Sequence, residues 1–266
     1  MESKNFRNKL NGESKKNRFI NLLMKFSFYL VCFVIWEYYS KKINVPLLLP
    51  TPKSTFDAVL LSLTDTKTMT NIGVTLIRVL KGWSIAIVLG VPIGLMMGLS
   101  EKFNYMFGGI LNSLRQVPMM AWVPLTIIWL GIGEGPTIFM IAINGIFQVI
   151  LNTSQGASQI SKDYYNAAKS MGANNVSIFV KIILPATLPF ILVGARLAIG
   201  SGWMSVICAE FIATSSGLGY SMVEAQSLLQ TNILIALMII SAVIGYSIDL
   251  FLQKINDKLT SWRTEQ

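Results

Sequence analysis

Long apolar windows with few charged residues recur along the whole chain, and they constrain its fold more than any other feature. The windows are residues 19–39, 83–99, 106–130, 136–151, 188–212 and 233–252. Most of them have the roughly 17 to 25 residues that a helix needs to cross a bilayer. Only 13% of the residues are charged, whereas a soluble domain usually has about 25%. The sequence therefore predicts an all-α integral membrane protein with about six transmembrane helices.

The formal net charge of +9 comes from basic residues that lie mostly at the ends of the apolar windows. A nucleic-acid-binding protein would gather them on a polar element with interleaved aromatic residues, so we expect no nucleic-acid partner. Basic residues precede the first window and follow the last, and the positive-inside rule places both ends in the cytosol. Lysines such as Lys41 and Lys53 fall on the other side and depart from the rule. We expect a multi-pass protein surrounded by lipid in a cytoplasmic membrane, with both termini cytosolic.

The polar stretches divide the chain into four parts. Residues 1–18 have no apolar periodicity, which predicts a flexible cytoplasmic tail. Residues 19–69 hold the first transmembrane helix and an amphipathic segment along the outer membrane surface. Residues 70–255 form the membrane core, and residues 256–266 form a second cytoplasmic tail.

The residue types that carry most enzyme chemistry are scarce. The chain has no histidine, and Cys32 and Cys208 both lie within apolar windows, which argues against a metal site and a disulfide framework. The sequence has no Gly-x4-Gly-Lys-Ser/Thr phosphate loop and no nucleophile next to a base. We therefore assign no catalytic residue, no metal ligand and no cofactor to this chain.

Three glycines, Gly90, Gly94 and Gly98, recur at intervals of four in the second window. Residues four apart share one face of a helix, and small residues on that face let a neighbouring backbone approach closely. The pattern predicts a face for close helix packing.

Two prolines, Pro118 and Pro124, interrupt the third window. A helix broken within a membrane exposes backbone polar groups, which must be covered by protein or line a water-filled cavity. The break favours a translocation path, and a merely kinked structural helix is the alternative. Our candidates for the path here are Pro118, Trp122 and Pro124.

Two further candidates for a path or gate lie in the fifth window. Trp203 follows the small residues 200–202, and core packing is the alternative for it. Glu210 is one of the few ionisable residues within the windows, and such groups are costly in a membrane and therefore candidates for function. Arg196 lies 14 residues before Glu210, about 21 Å along a straight helix, so the two cannot pair. We expect Glu210 to support an outer gate and Arg196 to extend toward the cytosolic interface.

A polar segment, residues 159–185, separates the fourth and fifth windows on the expected cytosolic side. Ser161 is suited to cap a short helix, and Gly172 is suited to end it in the left-handed conformation. A second short helix is expected over about residues 176–184, ending before Pro185. Two adjacent alanines, Ala167 and Ala168, leave room for a partner surface to approach.

The spacing in this segment resembles the cytosolic loop signature of the permease subunits of ATP-binding-cassette importers. Ala167-Ala168 is followed after three residues by Gly172, and after nine more by Ile182-x-Leu184-Pro185. The family signature begins Glu-Ala-Ala, whereas Asn166 stands in the glutamate position here. The resemblance implies a coupling helix that enters a groove of the ATPase subunit. The coupling residues it implies are Tyr165, Asn166, Ala167, Ala168, Met171, Gly172, Ile182, Leu184 and Pro185.

The resemblance extends over about residues 70–255 and is to the MetI-like fold, in the subgroup that includes permeases for nitrate, taurine and aliphatic sulfonates. It rests on Thr75-Leu-Ile-Arg78-x3-Gly82, on Ala209-Glu210 and on Gly217-Leu-Gly219-Tyr220. It implies a homodimer of permeases in the cytoplasmic membrane of a bacterium, two cytosolic ATPase subunits that bind ATP and Mg, and an extracytoplasmic solute-binding protein. The solute would be a sulfonate, taurine, a nitrate-like or bicarbonate-like anion, or a vitamin precursor, imported by alternating access.

An ion-coupled secondary transporter is the alternative, because it would also have broken helices across the membrane. Such a transporter would normally group intramembrane acids as a coupling site, whereas Glu210 stands almost alone in the sequence. It would also have no use for a docking segment at residues 159–185.

Overall fold

The computed structural model describes the backbone of residues 2–259 and the side chains of residues 20–259. Within these residues the chain is helical, with no strand. The α-helices are α1 (Glu2–Ile43), α2 (Pro52–Thr64), α3 (Thr66–Leu99), α4 (Glu101–Arg115), α5 (Met119–Leu130), α6 (Glu134–Ser158), α7 (Lys162–Ser170), α8 (Asn175–Ile178), α9 (Leu184–Ala213), α10 (Leu218–Ser227) and α11 (Thr231–Leu259). A π-helical turn, Phe179–Ile183, joins α8 to α9.

Five helical segments of the described chain are long and apolar enough to cross a membrane. They are the part of α1 from Ile20, then α3, α6, the continuous rod Asn175–Ala213, and α11. The third window does not form one helix, because α4 ends at Arg115 and α5 begins only at Met119. Helix α5 has 12 residues, about 18 Å of helix, which is too short to cross a bilayer alone. The expected six spans are therefore five long helices and the shorter apolar α5.

Helix α1 lies at the edge of the molecule, since none of its apolar window is buried inside the chain. It begins at Glu2, so residues 2–18, expected to be a flexible tail, are helical in the structure and continuous with the first span. These residues contain no proline that would interrupt the helix. At the other end of α1 the Trp36 indole donates to the Pro50 carbonyl at 3.0 Å, which attaches α1 to the start of α2. Residues 260–266 of the expected C-terminal tail lie outside the described residues.

The pair α3 and α6 forms the centre of the bundle. A Cβ added at Gly90 would lie 2.8 Å from Cβ of Val149, and one at Gly94 would lie 2.7 Å from Cβ of Thr153. From Gly90 to Gly94 the contact moves four residues along α3, and from Val149 to Thr153 it moves four residues along α6 in the same direction. The two helices therefore run parallel, with their backbones close together. The glycine face expected from the sequence is thus confirmed, and α6 is the helix that packs on it.

Helix α9 packs on another face of α6 in the antiparallel direction, with Gly156 against Phe190 and Gly145 against Ala198. The main apolar core forms where α3, α6, α9, α10 and α11 converge. Its buried members are Val79, Ile141, Ile199, Trp203, Val206, Leu218, Met222, Ala225 and Leu237. The bundle therefore has two distinct ends, one that carries α7 and an opposite one that carries α10.

Candidate functional site

The segment before α9 forms the short helix expected from its sequence. The Ser161 hydroxyl caps α7 by accepting from the Asp163 amide at 3.2 Å. The helix ends where Gly172 adopts a φ of +81°, and the Ala173 amide then donates to the Ala168 carbonyl at 3.0 Å. Both the cap and the left-handed turn are confirmed, because they depend only on residues within the segment.

Helix α7 stands away from the bundle, and none of its residues is buried. Tyr165, Asn166 and Ala167 are exposed, Ala168 is half-buried, and Met171 just beyond the helix is fully open to the surroundings. A cavity of about 640 Å³ separates Tyr165 and Asn166 from Gly98 and Ala157 at the ends of α3 and α6. This end of the molecule thus presents an amphipathic helix that the described chain leaves uncovered.

The second short helix does not end before Pro185, so that expectation is wrong. Helix α8 passes through the π-helical turn directly into α9, with the Leu184 amide donating to the Phe179 carbonyl. Pro185 follows the π-helical turn directly, and in a membrane helix such a local π adjustment accommodates the donor that a proline lacks. Ile182 and Leu184 are half-buried and Pro185 is exposed. The segment that follows α7 is therefore continuous with a membrane helix.

At the opposite end of the bundle, a buried ion pair joins α3 to α9. The Arg78 side chain is 3% exposed and the Glu210 side chain 0% exposed, and Nη1 of Arg78 lies 2.8 Å from Oε1 of Glu210. The same carboxylate accepts from the Thr75 hydroxyl at 2.9 Å and from the Gly219 amide at 2.9 Å. Glu210, which stands almost alone in the sequence, is thus neutralised by a residue on another helix.

The turn between α9 and α10 is held by the same group of residues. Arg78 donates from Nη1 to the Ser216 carbonyl and from Nη2 to the Ser216 hydroxyl, both at 2.8 Å. The Gly217 amide donates to the Asn71 side chain at 3.0 Å, and the Leu218 amide donates to the Thr75 hydroxyl at 2.8 Å. A Cβ at Gly217 would collide with the Glu210 carboxylate, and Gly217 also has a φ of +106°. The glycine is required there because the carboxylate fills the space of a side chain.

A second ion pair joins α9 to α11. The Arg196 guanidinium donates from Nε and Nη2 to the two carboxylate oxygens of Asp249, each at 2.8 Å. Arg196, which was expected to extend toward the cytosolic interface, makes a bidentate contact with a neighbouring helix. The sequence signal for this pair was weak, since the two residues are 53 positions apart.

The residues proposed for a path or gate lie in different environments. Pro118 caps α5 in an extended conformation and is exposed, so the break expected in the third window occurs at this proline. Pro124 lies inside α5 without ending it, and Trp122 is half-buried. Trp203 is buried in the main core, where its indole donates to the Ser241 carbonyl at 3.2 Å. Its position is that of a packing residue between α9 and α11.

Residues 90–261 match the model of a protein family described as binding-protein-dependent transport system inner membrane component. A putative ABC transporter permease protein of Methanocaldococcus jannaschii is 34% identical over 257 residues, which are 95% of this chain and 96% of the relative. The taurine transport system permease protein of Escherichia coli is 30% identical over 237 residues, 87% of this chain and 86% of the relative. A putative aliphatic sulfonates transport permease protein of Bacillus subtilis is 34% identical over 218 residues, 81% of this chain and 78% of the relative.

The fold is also similar to a chain in a solved structure of the MetNI methionine ABC transporter in inward facing conformations. The TM-score is 0.64 at 17% sequence identity, and the match covers 72% of this chain and 95% of that chain. At this identity the likeness concerns the fold alone, and it matches the MetI-like core expected from the sequence.

Proposed function

The chain belongs to the family of binding-protein-dependent transport system inner membrane components, and from this premise we propose how its parts work in a complete importer. The chain is the permease subunit of an ABC transporter. Two copies of it enclose the path across the membrane, and each binds one cytosolic ATPase subunit, which binds ATP and Mg and hydrolyses the nucleotide. An extracytoplasmic solute-binding protein delivers the solute to the opposite face, and both termini of the permease are cytosolic.

The observation that carries this proposal is the position of α7. It is an exposed amphipathic helix whose residues are not buried by the rest of the described chain. The side chains of Ala167 and Ala168 are small enough for a groove on a partner to close around the helix, and Tyr165 and Met171 add apolar contact area. We assign the ATPase contact to this helix, with Asn166 in place of the glutamate of the family signature.

The connection after α7 explains how a movement of the ATPase reaches the membrane. Gly172 provides the turn between α7 and the next segment, and from Asn175 the chain is helical without interruption to Ala213. A displacement at Ile182, Leu184 and Pro185 is therefore transmitted along α9 as a rigid element. Alternation of the path between inward and outward access would follow from such displacements in both copies.

The path and its gate are assigned to the broken third window and to the α10 end of the bundle. Pro118, Trp122 and Pro124 lie on or next to the short helix α5. The helical backbone of the third window is interrupted just before it, between α4 and α5. Glu210 fixes the turn that precedes α10 and thereby supports the outer gate. The burial of Trp203 favours a packing role beside the path.

The solute that we propose is a small sulfonate, taurine, a nitrate-like or bicarbonate-like anion, or a vitamin precursor. The similarity to permeases named for taurine and for aliphatic sulfonates supports the anionic members of this group. An ion-coupled secondary transporter is not favoured, because the family membership and the exposed α7 both call for an ATPase partner.

The test is reconstitution of the permease with the ATPase and binding protein encoded next to it. We expect co-purification of the ATPase, and uptake into proteoliposomes that requires ATP and is stimulated by one solute from a panel of taurine, sulfonates, nitrate, bicarbonate and vitamin precursors. An Ala167→Trp variant should lose the ATPase because the ring fills the docking face, whereas the matched variant Lys169→Ala on the same helix should keep it. Uptake driven by an ion gradient in the absence of ATP would contradict the proposal.

A further inference from the structure

A groove runs over the outward face of α9, between α6 and α11. Its cavity measures about 510 Å³. We call it the α9 groove. Much of its lining is apolar, including Trp203 and Met204, and its polar side chains include Gln148, Arg196 and Asp249. None of the functions assigned above uses this groove.

The Arg196–Asp249 pair lies at the edge of the groove and is only partly covered. The Arg196 side chain is 29% exposed and that of Asp249 is 44% exposed. Asp249 occupies Nε and Nη2 of the guanidinium, and no group in the described part of the chain accepts a hydrogen bond from Nη1. The side-chain amide of Gln148 likewise has no hydrogen-bond partner among residues 20–259. Two donors of the groove are therefore free to bind something that this chain does not supply.

The floor of the groove is open because of Gly200. A Cβ at this position would have no atom within 4 Å, in contrast to the tightly packed glycines of α3. Gly200 lies one helical turn from Arg196, about 6 Å along the axis. A small solute could therefore rest against the α9 backbone within reach of the guanidinium.

The charges of Arg196 and Asp249 indicate whether the groove faces lipid or a water-filled cavity. Arg196 and Asp249 both lie within membrane-spanning helices, and a charged side chain exposed to hydrocarbon is costly. Ionisable groups in such positions are found facing a bundle interior or a water-filled cavity. Although much of the lining is apolar, the open donors of Arg196 and Gln148 are unsuited to contact with lipid tails, which accept no hydrogen bonds.

We propose that the α9 groove faces the translocation path and that Arg196 binds the anionic head group of the solute, a sulfonate or a similar oxyanion. This inference rests on the proposed importer function and names the substrate contact within it. Asp249 is a positioning residue, because its bidentate contact fixes the plane of the guanidinium and directs Nη1 away from itself. It also offsets part of the positive charge, so the anion is bound weakly enough to leave again, as transport requires.

The experiment measures access to Gly200→Cys in the full importer, in a chain that carries Cys32→Ser and Cys208→Ala. Two thiol reagents of similar size serve as probes, the anionic 2-sulfonatoethyl methanethiosulfonate and its cationic trimethylammonium analogue. We expect both to react, with the anionic one favoured. A Val88→Cys control, on the exposed apolar face of α3, should react with neither, and Met204→Cys is the substitute if Gly200→Cys does not fold.

Replacement of each member of the pair then separates an anion contact from a structural role. Arg196→Gln should lower the ratio of anionic to cationic labelling rates by about fivefold, as expected for one charge about 8 Å away in water. Asp249→Asn should raise that ratio. Methanesulfonate should slow the labelling when Arg196 is present and not in Arg196→Gln, whereas the neutral dimethyl sulfone should have no effect in either.

Three outcomes would overturn the inference. No labelling at either groove position would show that lipid or a second copy covers the groove. Equal changes in Arg196→Gln and Asp249→Asn would show a purely structural ion pair, and absence of protection by methanesulfonate would exclude an anion site. Failure of the proposed importer function can be told apart from failure of this inference. In that case the ATPase does not co-purify and there is no ATP-driven uptake, whereas the labelling is measured independently of both.

Discussion

Replacing Glu210 by glutamine tests the buried ion pair with almost no change in shape. The two carboxylate oxygens accept from three donors, namely Nη1 of Arg78 at Oε1, the Gly219 amide at Oε2, and the Thr75 hydroxyl, which lies within reach of both. The amide of Glu210→Gln has one oxygen and one NH2 group. In either orientation the NH2 group must face a donor, which is the Arg78 guanidinium or the Gly219 amide.

The expected cost follows from the burial of the pair. Arg78 is 3% exposed and would keep its positive charge. The one acid left beside it in the described part of the chain is Glu134, whose Oε1 lies 3.6 Å from Nε and whose side chain is half exposed. Breaking a buried ion pair by removing one partner costs about 3–5 kcal/mol. We therefore expect Glu210→Gln to lower the free energy of unfolding by about this amount.

The assay is reversible unfolding of the purified permease in mixed micelles, followed by tryptophan fluorescence and circular dichroism. The matched control is Glu224→Gln, because Lys67 of α3 and Glu224 of α10 form an ion pair at 2.6 Å whose side chains are 61% and 34% exposed. Such a surface pair contributes at most about 1 kcal/mol. The combined variant Arg78→Met with Glu210→Leu should cost less than the sum of its single changes by about 1–3 kcal/mol. Equal losses in Glu210→Gln and Glu224→Gln would refute the reasoning.

Three further changes probe other parts of the fold. Gly172→Val should uncouple ATP hydrolysis from uptake, because a left-handed φ costs a residue with a Cβ about 1–2 kcal/mol and strains the turn after α7. ATPase activity and uptake, measured on the same preparation, check this. The control is Gly109→Ala, whose added Cβ would meet no atom within 4 Å. Gly94→Ala should destabilise the α3–α6 contact by about 1–3 kcal/mol, whereas Gly73→Ala, which also meets no atom within 4 Å, should not lower the melting temperature. Asp65→Ala removes the side chain that accepts from the Thr68 amide at the start of α3 and should lower the unfolding free energy by about 0.5–2 kcal/mol in the same micelle titration.

Local features of the fold could be read from the sequence because neighbouring residues determine them. The cap at Ser161 and the turn at Gly172 each involve residues a few positions apart. A break at a proline was expected because the residue lacks a backbone donor, but Pro124 lies inside α5 without ending it, so only the structure showed that Pro118 is where the helix breaks. The expected end before Pro185 is wrong because a π-helical turn directly before the proline lets the helix continue through it.

The pairing of the charges could not be read in the same way. The partner of Glu210 lies 132 positions away and that of Arg196 lies 53 positions away. Which charges meet depends on the rotation and register of the packed helices. No periodicity within one helix indicates these pairs.

The sequence by itself thus determined that this is a membrane protein with a glycine-faced central helix and a polar segment suited to a partner, since hydropathy, spacing and turn residues act locally. Only the tertiary structure decided that α6 fills the glycine face, that Trp203 is buried and that Arg78 neutralises Glu210. The physical reason is that the cost of a charge in a membrane is offset by a partner from another helix, and the position of that partner is fixed by packing.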